Sequence, residues 1–381
     1  MDSLTQIVLG AAVGEFVLGR KVGNKAILWG AVAGTIPDLD VLSKYFVDEV
    51  LALEMHRGFS HSILFGTLFA PLFGFLVKKQ ERVFLSIFFV AMMSVFFLGQ
   101  QHLIGKGISI AVLIGLLFGA YKLKPNREEI TTWDWTKLMF GGLITHPLLD
   151  AHTTWGTQLF WPLEYRVAYK NIFVVDPLYT LPFLVFLILA MIQNRKSKKR
   201  RFYNSMGLII SSVYMLLTIG FKSISYFKFI NSLEIQNIEY TEVRTRPTPM
   251  NSILWSANVE TEDSYYVGLY SLLDNDDNIE YLRFEKNHGA LDNFKNEEKI
   301  QRLIKIAKGW YAIDELEGDT LIYNDLRFGQ IGIGPDKPFA FSYKIWRDEE
   351  GNFQLIEAPK TMKGGSKMIG ELVSRIFNKE H

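Results

Sequence analysis

The chain has 381 residues, of which 49% are hydrophobic and 14% aromatic, and its formal net charge is +1. This length is more than one average domain needs, so we expect at least two domains. The near-neutral charge gives no indication of nucleic-acid binding, and the basic run 195–201 lies between two apolar runs, where a membrane interpretation is simpler. Because there is no cysteine, any metal site must use His, Asp, Glu and neutral oxygen donors.

Eight apolar runs occupy most of the chain before residue 222. Several approach the roughly 20 residues that cross a hydrocarbon core, whereas the first, second and sixth are short and could be half-helices inside a bundle. The runs are 4–19, 26–37, 61–77, 83–99, 102–121, 137–149, 172–193 and 205–222. They predict a polytopic α-helical membrane bundle of about eight helices or half-helices, and the N-terminus does not resemble a cleavable signal peptide.

Basic residues follow every second apolar run and orient the predicted bundle. Lys and Arg in short loops favour the cytoplasmic side of a membrane. We therefore expect the N-terminus, the loops with the candidate site and the C-terminal segment on the outer side. The basic residues are Arg20, Lys21 and Lys25; Lys78, Lys79 and Arg82; Lys122, Lys124 and Arg127; and the run 195–201.

After residue 222 the sequence becomes alternating and charged. Strand-like stretches are bounded by clusters of Asn, Asp, Gly and Pro, and the segment 297–313 has apolar residues at helical spacing. We predict a membrane-embedded domain at 1–222 and a water-soluble α+β domain at 223–381, which covers the membrane part or binds a partner. The predicted strands are 264–273, 280–286, 320–332 and 339–348, and a final amphipathic helix is predicted at 366–378.

Asp38 and Asp40 lie in the segment PDLD at the end of the second run. In a soluble protein, a helix end with solvated carboxylates would be the commoner explanation of such a pair. At the mouth of a membrane bundle, unpaired carboxylates are costly and usually mark an ion site. Both are therefore candidate metal ligands, and either could act as a base.

His56 and His61 lie in the segment MHRGFSHS, where Gly58 permits a sharp turn. Neutral imidazole is the commonest metal ligand, although a packing role at a membrane interface is the alternative. On a continuous helix the two rings would be about 140° apart, so only a loop followed by a helix start brings both to one ion. We expect Ser60 to cap the third helix, with His61 in its first turn.

His146 and Asp150 lie four residues apart in THPLLDAH. This spacing puts both side chains on one helix face if Pro147 starts a new helical segment. The pair therefore has metal-ligand spacing. His152 follows as a further ligand or as a partner of a ligand.

Two arginines, Arg57 and Arg166, are predicted at the outer mouth of the bundle. A guanidinium group can bind phosphate through two parallel hydrogen bonds, so both are candidate catalytic residues. Anchoring to lipid head groups is an equally good interpretation. The nearby Trp155 and Trp161 fit a membrane aromatic belt better than a substrate cage.

The motifs MDSLTQ, PDLD, HRGFSHS and THPLLDAHTTWGTQLFWP occur in an order that resembles the YdjM-like family of inner-membrane (LexA-binding) metal-dependent hydrolases. The resemblance covers about residues 1–180 and implies a location in the bacterial cytoplasmic membrane. That family is distantly similar to zinc-dependent phospholipase C and P1 nuclease. Family members often carry a histidine where this chain has Gln6, so Gln6 or Asp2 would have to replace it. The ligands implied by the resemblance are Asp38 or Asp40, His56, His61, His146 and Asp150.

We expect a divalent ion, zinc foremost with manganese or iron as alternatives, to activate water for phosphoester hydrolysis. Asp40 or Asp38 would take the proton, and Arg57 or Arg166 would offset charge on the phosphate oxygens. Membrane lipids are expected partners, and the substrate would be lipid-linked or amphipathic. Two other classes stay open, a noncatalytic scaffold or sensor with a structural metal, and a transporter, which should have polar residues along its whole path.

Overall fold

The computed structural model describes residues 1–126, 128–275, 278–316, 319–358 and 365–377. Arg127, one of the basic residues used to predict topology, lies outside the described residues. The chain divides into two compact units. The first contains Met1–Tyr169 and Pro177–Tyr214, and the second contains Lys170–Asp176 and Met215–His381.

The first unit is built from helices, and each of the eight apolar runs contains one. A 3₁₀ helix, Ile36–Tyr45, continues α2, and a second one, Phe59–His61, precedes α4. The helices are α1 (Ser3–Val22), α2 (Asn24–Thr35), α3 (Glu49–Met55), α4 (Ile63–Lys79), α5 (Glu81–Gly99), α6 (Leu103–Lys122), α7 (Thr132–Asp150), α8 (Pro177–Met191) and α9 (Lys198–Ile235). α9 begins in the first unit, and its residues after Tyr214 belong to the second. The predicted boundary at residue 222 lies inside α9.

The predicted bundle of about eight helices or half-helices is confirmed as helical, but not as eight membrane spans. Four helical segments among the described residues are long and apolar enough to cross a membrane, or five if a pair bent by 62° is one span. The four are Asn24–Tyr45, Glu81–Gly99, Leu103–Lys122 and Lys198–Ile235, and the bent pair is Glu49–His61 with Ile63–Lys79. Large apolar side chains on these helices are exposed, for example Leu103 at 86% and Ile114 at 63%, which suits contact with lipid.

The remaining helices fall short of a span for identifiable reasons. α8 has 15 residues and is therefore about 22 Å long, less than the roughly 30 Å of a hydrocarbon core. α1 and α7 contain ionisable side chains, including Glu15, His146 and Asp150, and these three are buried in the first unit. Apolar runs thus predicted helices correctly. Of the three short runs that could be half-helices, the first and sixth became α1 and α7, whereas the second belongs to the candidate span Asn24–Tyr45.

α1 and α2 approach each other along glycines. Gly10 and Gly14 on α1 face Gly30 and Gly34 on α2, and a Cβ atom added to Gly30 would overlap the carbonyl oxygen of Gly10. Both pairs are four residues apart, the small-xxx-small spacing that lets membrane helices pack with their backbones in contact. α7 packs against α1, α2 and α4.

The second unit contains two four-stranded antiparallel sheets with the strand orders β1-β2-β3-β4 and β5-β6-β7-β8. Two helices, α10 (Glu298–Ala307) and α11 (Gly365–Ile376), and a 3₁₀ helix, His288–Phe294, accompany the sheets. The strands are β1 (Glu242–Pro247), β2 (Leu254–Glu260), β3 (Ser264–Ser271), β4 (Tyr281–Glu285), β5 (Tyr311–Glu315), β6 (Leu321–Gln330), β7 (Phe339–Arg347) and β8 (Phe353–Glu357).

The four predicted strands correspond to β3, β4, β6 and β7, whereas β1, β2, β5 and β8 were not predicted. The predicted helix at 297–313 was too long, because α10 ends at Ala307. Lys308 and Gly309 have φ angles of 55° and 78°, so the chain leaves the helix through the left-handed region and β5 begins at Tyr311.

We predict that Gly30→Ala lowers the free energy of unfolding by about 2 kcal/mol, because the added methyl group must push α2 away from α1. Thermal unfolding of the purified protein in detergent would measure the loss. Gly115→Ala in α6 is the matched control, since its added Cβ has no heavy atom within 4 Å and the higher helix propensity of Ala should keep or slightly raise stability. Equal unfolding temperatures for Gly30→Ala and the control would contradict the close packing.

Candidate metal centre

Four side chains from three separate segments meet at one end of the first unit. Asp38 comes from the 3₁₀ helix that continues α2, and His61 ends the short 3₁₀ helix before α4. His146 and Asp150 come from the last turns of α7. One nitrogen or oxygen of each lies within 4.8 Å of those of the others.

The local structure explains which carboxylate of the PDLD segment reaches the cluster. A 3₁₀ helix has three residues per turn, so side chains two positions apart point about 120° away from each other. Asp38 turns toward His61 and His146, with its Oδ1 at 3.4 Å and 3.3 Å from their Nε2 atoms. Asp40 turns instead toward His56, whose Nδ1 is 3.0 Å from Asp40 Oδ1.

The separations within the cluster match those of tetrahedral metal ligands. The Nε2 atoms of His61 and His146 are 3.1 Å apart, and Asp150 Oδ2 is 3.4 Å from each of them. Ligands at the usual zinc distances of about 2.0–2.1 Å form a tetrahedron with edges of about 3.3–3.4 Å. The cluster therefore has the size that one small divalent cation requires.

The partners of the two imidazole rings favour the tautomers that bind metal. His146 Nδ1 lies 2.6 Å from the carbonyl oxygen of Gly34, an acceptor, so this nitrogen carries the proton. His61 Nδ1 lies 3.4 Å from Asp40 Oδ2 and 3.0 Å from Ser60 Oγ. Both Nε2 lone pairs then face the carboxylates of Asp38 and Asp150. Such partners behind a histidine commonly fix the orientation of a metal ligand.

The family model of the YdjM inner membrane proteins matches residues 1–228. The chain belongs to the YdjM inner membrane protein family. No curated protein and no solved structure matches the chain. The resemblance noted from the motifs is therefore confirmed, and with its apolar helices this YdjM family member is a membrane protein.

Asp40 lies behind the cluster of this YdjM family member. Its Oδ2 accepts a hydrogen bond of 2.8 Å from the backbone N–H of Arg57, in addition to the contacts with His56 and His61. His56 is in the same position relative to the cluster, with its ring centroid 6.0 Å from that of His61. The two predicted ligands Asp40 and His56 therefore pair with each other and are outside the four-residue cluster.

Asp150 is held by side chains on two sides. Gln6 Nε2 donates a hydrogen bond of 3.0 Å to Asp150 Oδ1, and Arg57 Nε lies 3.2 Å from Asp150 Oδ2. Arg57 Nη1 also donates to Thr153 Oγ1 at 2.7 Å. Of the two candidates for replacing the family's histidine, Gln6 contacts the cluster, whereas Asp2 caps α1 through Thr5.

Two predicted site residues are not placed in the cluster. The ring of His152 packs at 5.0 Å from that of Tyr169. Arg166 donates a hydrogen bond of 2.7 Å to the carbonyl oxygen of Glu54 and lies over the ring of Trp155.

Two local predictions were wrong. α4 is capped by Ser62 rather than Ser60, because the Ser62 hydroxyl accepts from the N–H of Phe65, so His61 precedes the helix. Pro147 lies inside α7 and does not start a new segment. His146 and Asp150 nevertheless share one helix face, since the helix is continuous through both.

The sequence analysis did not anticipate Gly34 or Thr153. Gly34 acts through its carbonyl oxygen, which every residue type offers, so its identity carries no signal for this contact. Thr153 follows Asp150 by three residues and accepts from Arg57, and its sequence position alone does not distinguish it from other threonines.

We predict that Asp40→Asn weakens zinc binding by about tenfold to a hundredfold without abolishing it. The amide oxygen at the Oδ2 position can still accept from Arg57 N–H and face His61 Nδ1, while the NH₂ group faces His56. A neutral amide is a weaker acceptor than a carboxylate, so it holds the proton on His61 Nδ1 less firmly and makes Nε2 a poorer metal ligand. Competition titration with a zinc indicator would measure the dissociation constant. Asp48→Asn is the matched control, because Asp48 caps α3 and Asn is an equally good cap. Unchanged zinc affinity in Asp40→Asn would contradict this role of Asp40.

Proposed function

We propose that Asp38, His61, His146 and Asp150 bind a divalent ion, zinc foremost, and that the protein is a metal-dependent hydrolase. The observation that supports this is the convergence of four acceptor atoms, with separations of 3.1–3.4 Å among the five measured pairs. Two neutral imidazole lone pairs and two carboxylate oxygens this close repel each other, and either a proton on a ring or a cation between the four atoms relieves the repulsion. Zinc accepts this donor set, as do manganese and iron.

Exposure indicates where a substrate would approach. The side chain of Asp38 is 19% exposed, whereas those of His61, His146 and Asp150 are 0% exposed. Asp38 is therefore the ligand nearest to solvent, and the substrate would reach the site beside it. A bound divalent ion would polarise a phosphoester oxygen and lower the pKa of a coordinated water to about 7.

We assign proton transfer to the pair of His56 and Asp40. The His56 side chain is 28% exposed and its Nδ1 is held by Asp40 at 3.0 Å, which leaves Nε2 to accept a proton from water. A carboxylate that orients a histidine in this way is a recurrent arrangement for general base catalysis. This revises the sequence-based expectation that Asp40 or Asp38 takes the proton itself.

The two arginines have different places in this proposal. Arg57 offsets the charge of Asp150, because its Nε lies 3.2 Å from Asp150 Oδ2 while its Nη1 donates to Thr153. A contact between Arg166 and the phosphate of the substrate stays a prediction. A lipid-linked or amphipathic phosphoester is the proposed substrate class, since a membrane-embedded site can be reached by lateral diffusion.

A structural metal is the second candidate function. Four protein ligands complete a tetrahedron and leave no position for water, which is typical of structural zinc sites. The full burial of three of the four side chains favours this alternative. The protein would then be a scaffold or sensor whose ion ties α2, α4 and α7 together.

We expect the detergent-purified protein to contain about one equivalent of metal by elemental mass spectrometry. His61→Ala and the double variant His146→Ala/Asp150→Ala should each lose it, because each removes at least one of four ligands. His102→Ala is the matched control, since His102 is exposed at the start of α6 and lies outside the cluster.

Metal-free wild-type protein after reconstitution with zinc and manganese would overturn the metal site. If metal is present, a set of phosphoesters should be tested, including lipid-linked ones. Activity that is lost in His56→Ala while metal content is retained would favour the hydrolase. Stoichiometric metal that does not exchange with free ions, without hydrolysis, would favour the structural site.

The predicted orientation can be tested because the chain has no native cysteine. We expect Lys44→Cys, beside the metal cluster, and Glu262→Cys, in the second unit, to react with a membrane-impermeant maleimide in intact spheroplasts. Lys79→Cys should react only after permeabilisation, because the basic loops are predicted to be cytoplasmic. All three residues are exposed, so unequal labelling cannot come from burial. Labelling of Lys79→Cys in intact spheroplasts would reverse the orientation.

A further inference from the structure

A second polar site lies within the first unit, away from the metal cluster. It is a cavity of about 580 Å³ between α1 and the start of α9. Of the twelve described residues that line it, six are cationic and one is acidic. The cationic residues are Arg20, Arg195, Lys196, Lys198, Arg200 and Arg201.

The acidic residue, Glu15, is already neutralised. Arg200 donates from Nε and Nη2 to the two carboxylate oxygens of Glu15, at 2.7 Å and 2.6 Å. Both residues are buried, with 7% of Glu15 and 2% of Arg200 exposed. A bidentate pair of this kind leaves little negative charge to offset other cations.

The other five cations have no carboxylate within ion-pair distance in the part of the chain that the structure describes. Arg195 donates to the backbone carbonyl oxygen of Lys21, which leaves its charge uncompensated. Five positive charges around one cavity create a strong attraction for an anion. Phosphate is the anion that suits a mixture of Arg and Lys donors.

Apolar and hydrogen-bonding groups complete the lining. Phe16 is 72% exposed and Phe202 is 59% exposed, so two aromatic rings are available to acyl chains beside the cations. Asn204 is 3% exposed and donates to the carbonyl oxygen of Ala12. Its Oδ1 has no hydrogen-bond partner among the described residues and could accept from a hydroxyl group.

We propose that this cavity binds the head group of an anionic phospholipid that carries hydroxyl groups, as phosphatidylglycerol does. The cations bind the phosphate, Asn204 Oδ1 accepts from a head-group hydroxyl, and the two aromatic rings contact the acyl chains. A soluble phosphate would also bind the cations, but it has no acyl chains to contact the aromatic rings. Basic pockets between membrane helices are known to bind acidic lipids.

Native mass spectrometry of the full-length protein would test the site, with dioleoyl-phosphatidylglycerol and dioleoyl-phosphatidylcholine as the two lipid probes. We expect the wild type to prefer phosphatidylglycerol and Lys198→Gln/Arg201→Gln to bind it about tenfold or more weakly. Both substituted residues are exposed, so folding should be retained. The matched control is Lys79→Gln/Lys122→Gln, which removes two exposed charges from other basic loops.

The control separates a site from diffuse attraction. Equal losses in the two double variants would mean that the basic loops attract acidic lipids without a specific pocket, and the proposal would fail. It would also fail if wild-type protein bound both lipids equally. A third arm uses sn-glycerol 3-phosphate, which lacks acyl chains. If it binds as tightly as phosphatidylglycerol, the cavity is a site for soluble phosphates and the lipid assignment is wrong.

Discussion

The metal cluster depends on the backbone contact between α1 and α2. Gly10 and Gly14 lie against Gly30 and Gly34, and larger residues there would separate the two helices. Because α2 is so close to its neighbours, the carbonyl oxygen of Gly34 reaches His146 Nδ1 at 2.6 Å and fixes the tautomer of that ring. The same approach allows Gln6 of α1 to reach Asp150 on α7. The glycines therefore influence the cluster indirectly, because they allow the backbones of α1 and α2 to lie in contact.

The four side chains of the candidate metal centre come from segments that the sequence separates widely, and the fold supplies a rigid support for each. His146 and Asp150 are fixed by α7, which is surrounded by α1, α2 and α4. Asp38 and His61 lie instead on 3₁₀ helices at the ends of apolar helices, where the backbone can turn inward. A site whose donors must lie 3.1–3.4 Å apart needs such rigidity, since small shifts would lengthen several edges of the tetrahedron at once.

Sequence patterns were informative where one residue type and one spacing decide the outcome. The i, i+4 spacing of His146 and Asp150 correctly placed both on one helix face, even though Pro147 lies inside the helix.

Asp38 and Asp40 could not be distinguished from the sequence, because the difference between them comes from a 3₁₀ turn that hydropathy does not encode. The number of spans could not be read from the runs either, although the sixth run, which became α7, was short enough to be predicted as a possible half-helix inside the bundle. β5 was missed because the apolar residues keep a helical spacing beyond Ala307. The left-handed backbone of Lys308 and Gly309 nevertheless ends α10 there.

α1 connects the two polar sites of the first unit, because Gln6 contacts the metal cluster and Glu15 pairs with Arg200 beside the basic cavity. An isolated carboxylate at the position of Glu15 would carry a large desolvation penalty, and removal of one partner from a buried pair typically costs about 3–5 kcal/mol. Gly19 leaves the space that the Glu15 carboxylate occupies, one turn further along the helix. The pair therefore fixes the rotation and depth of α1 against α9. Because Gln6 lies on the same helix and donates to Asp150, we expect the Glu15–Arg200 pair to support the position of α1 at the candidate metal centre as well.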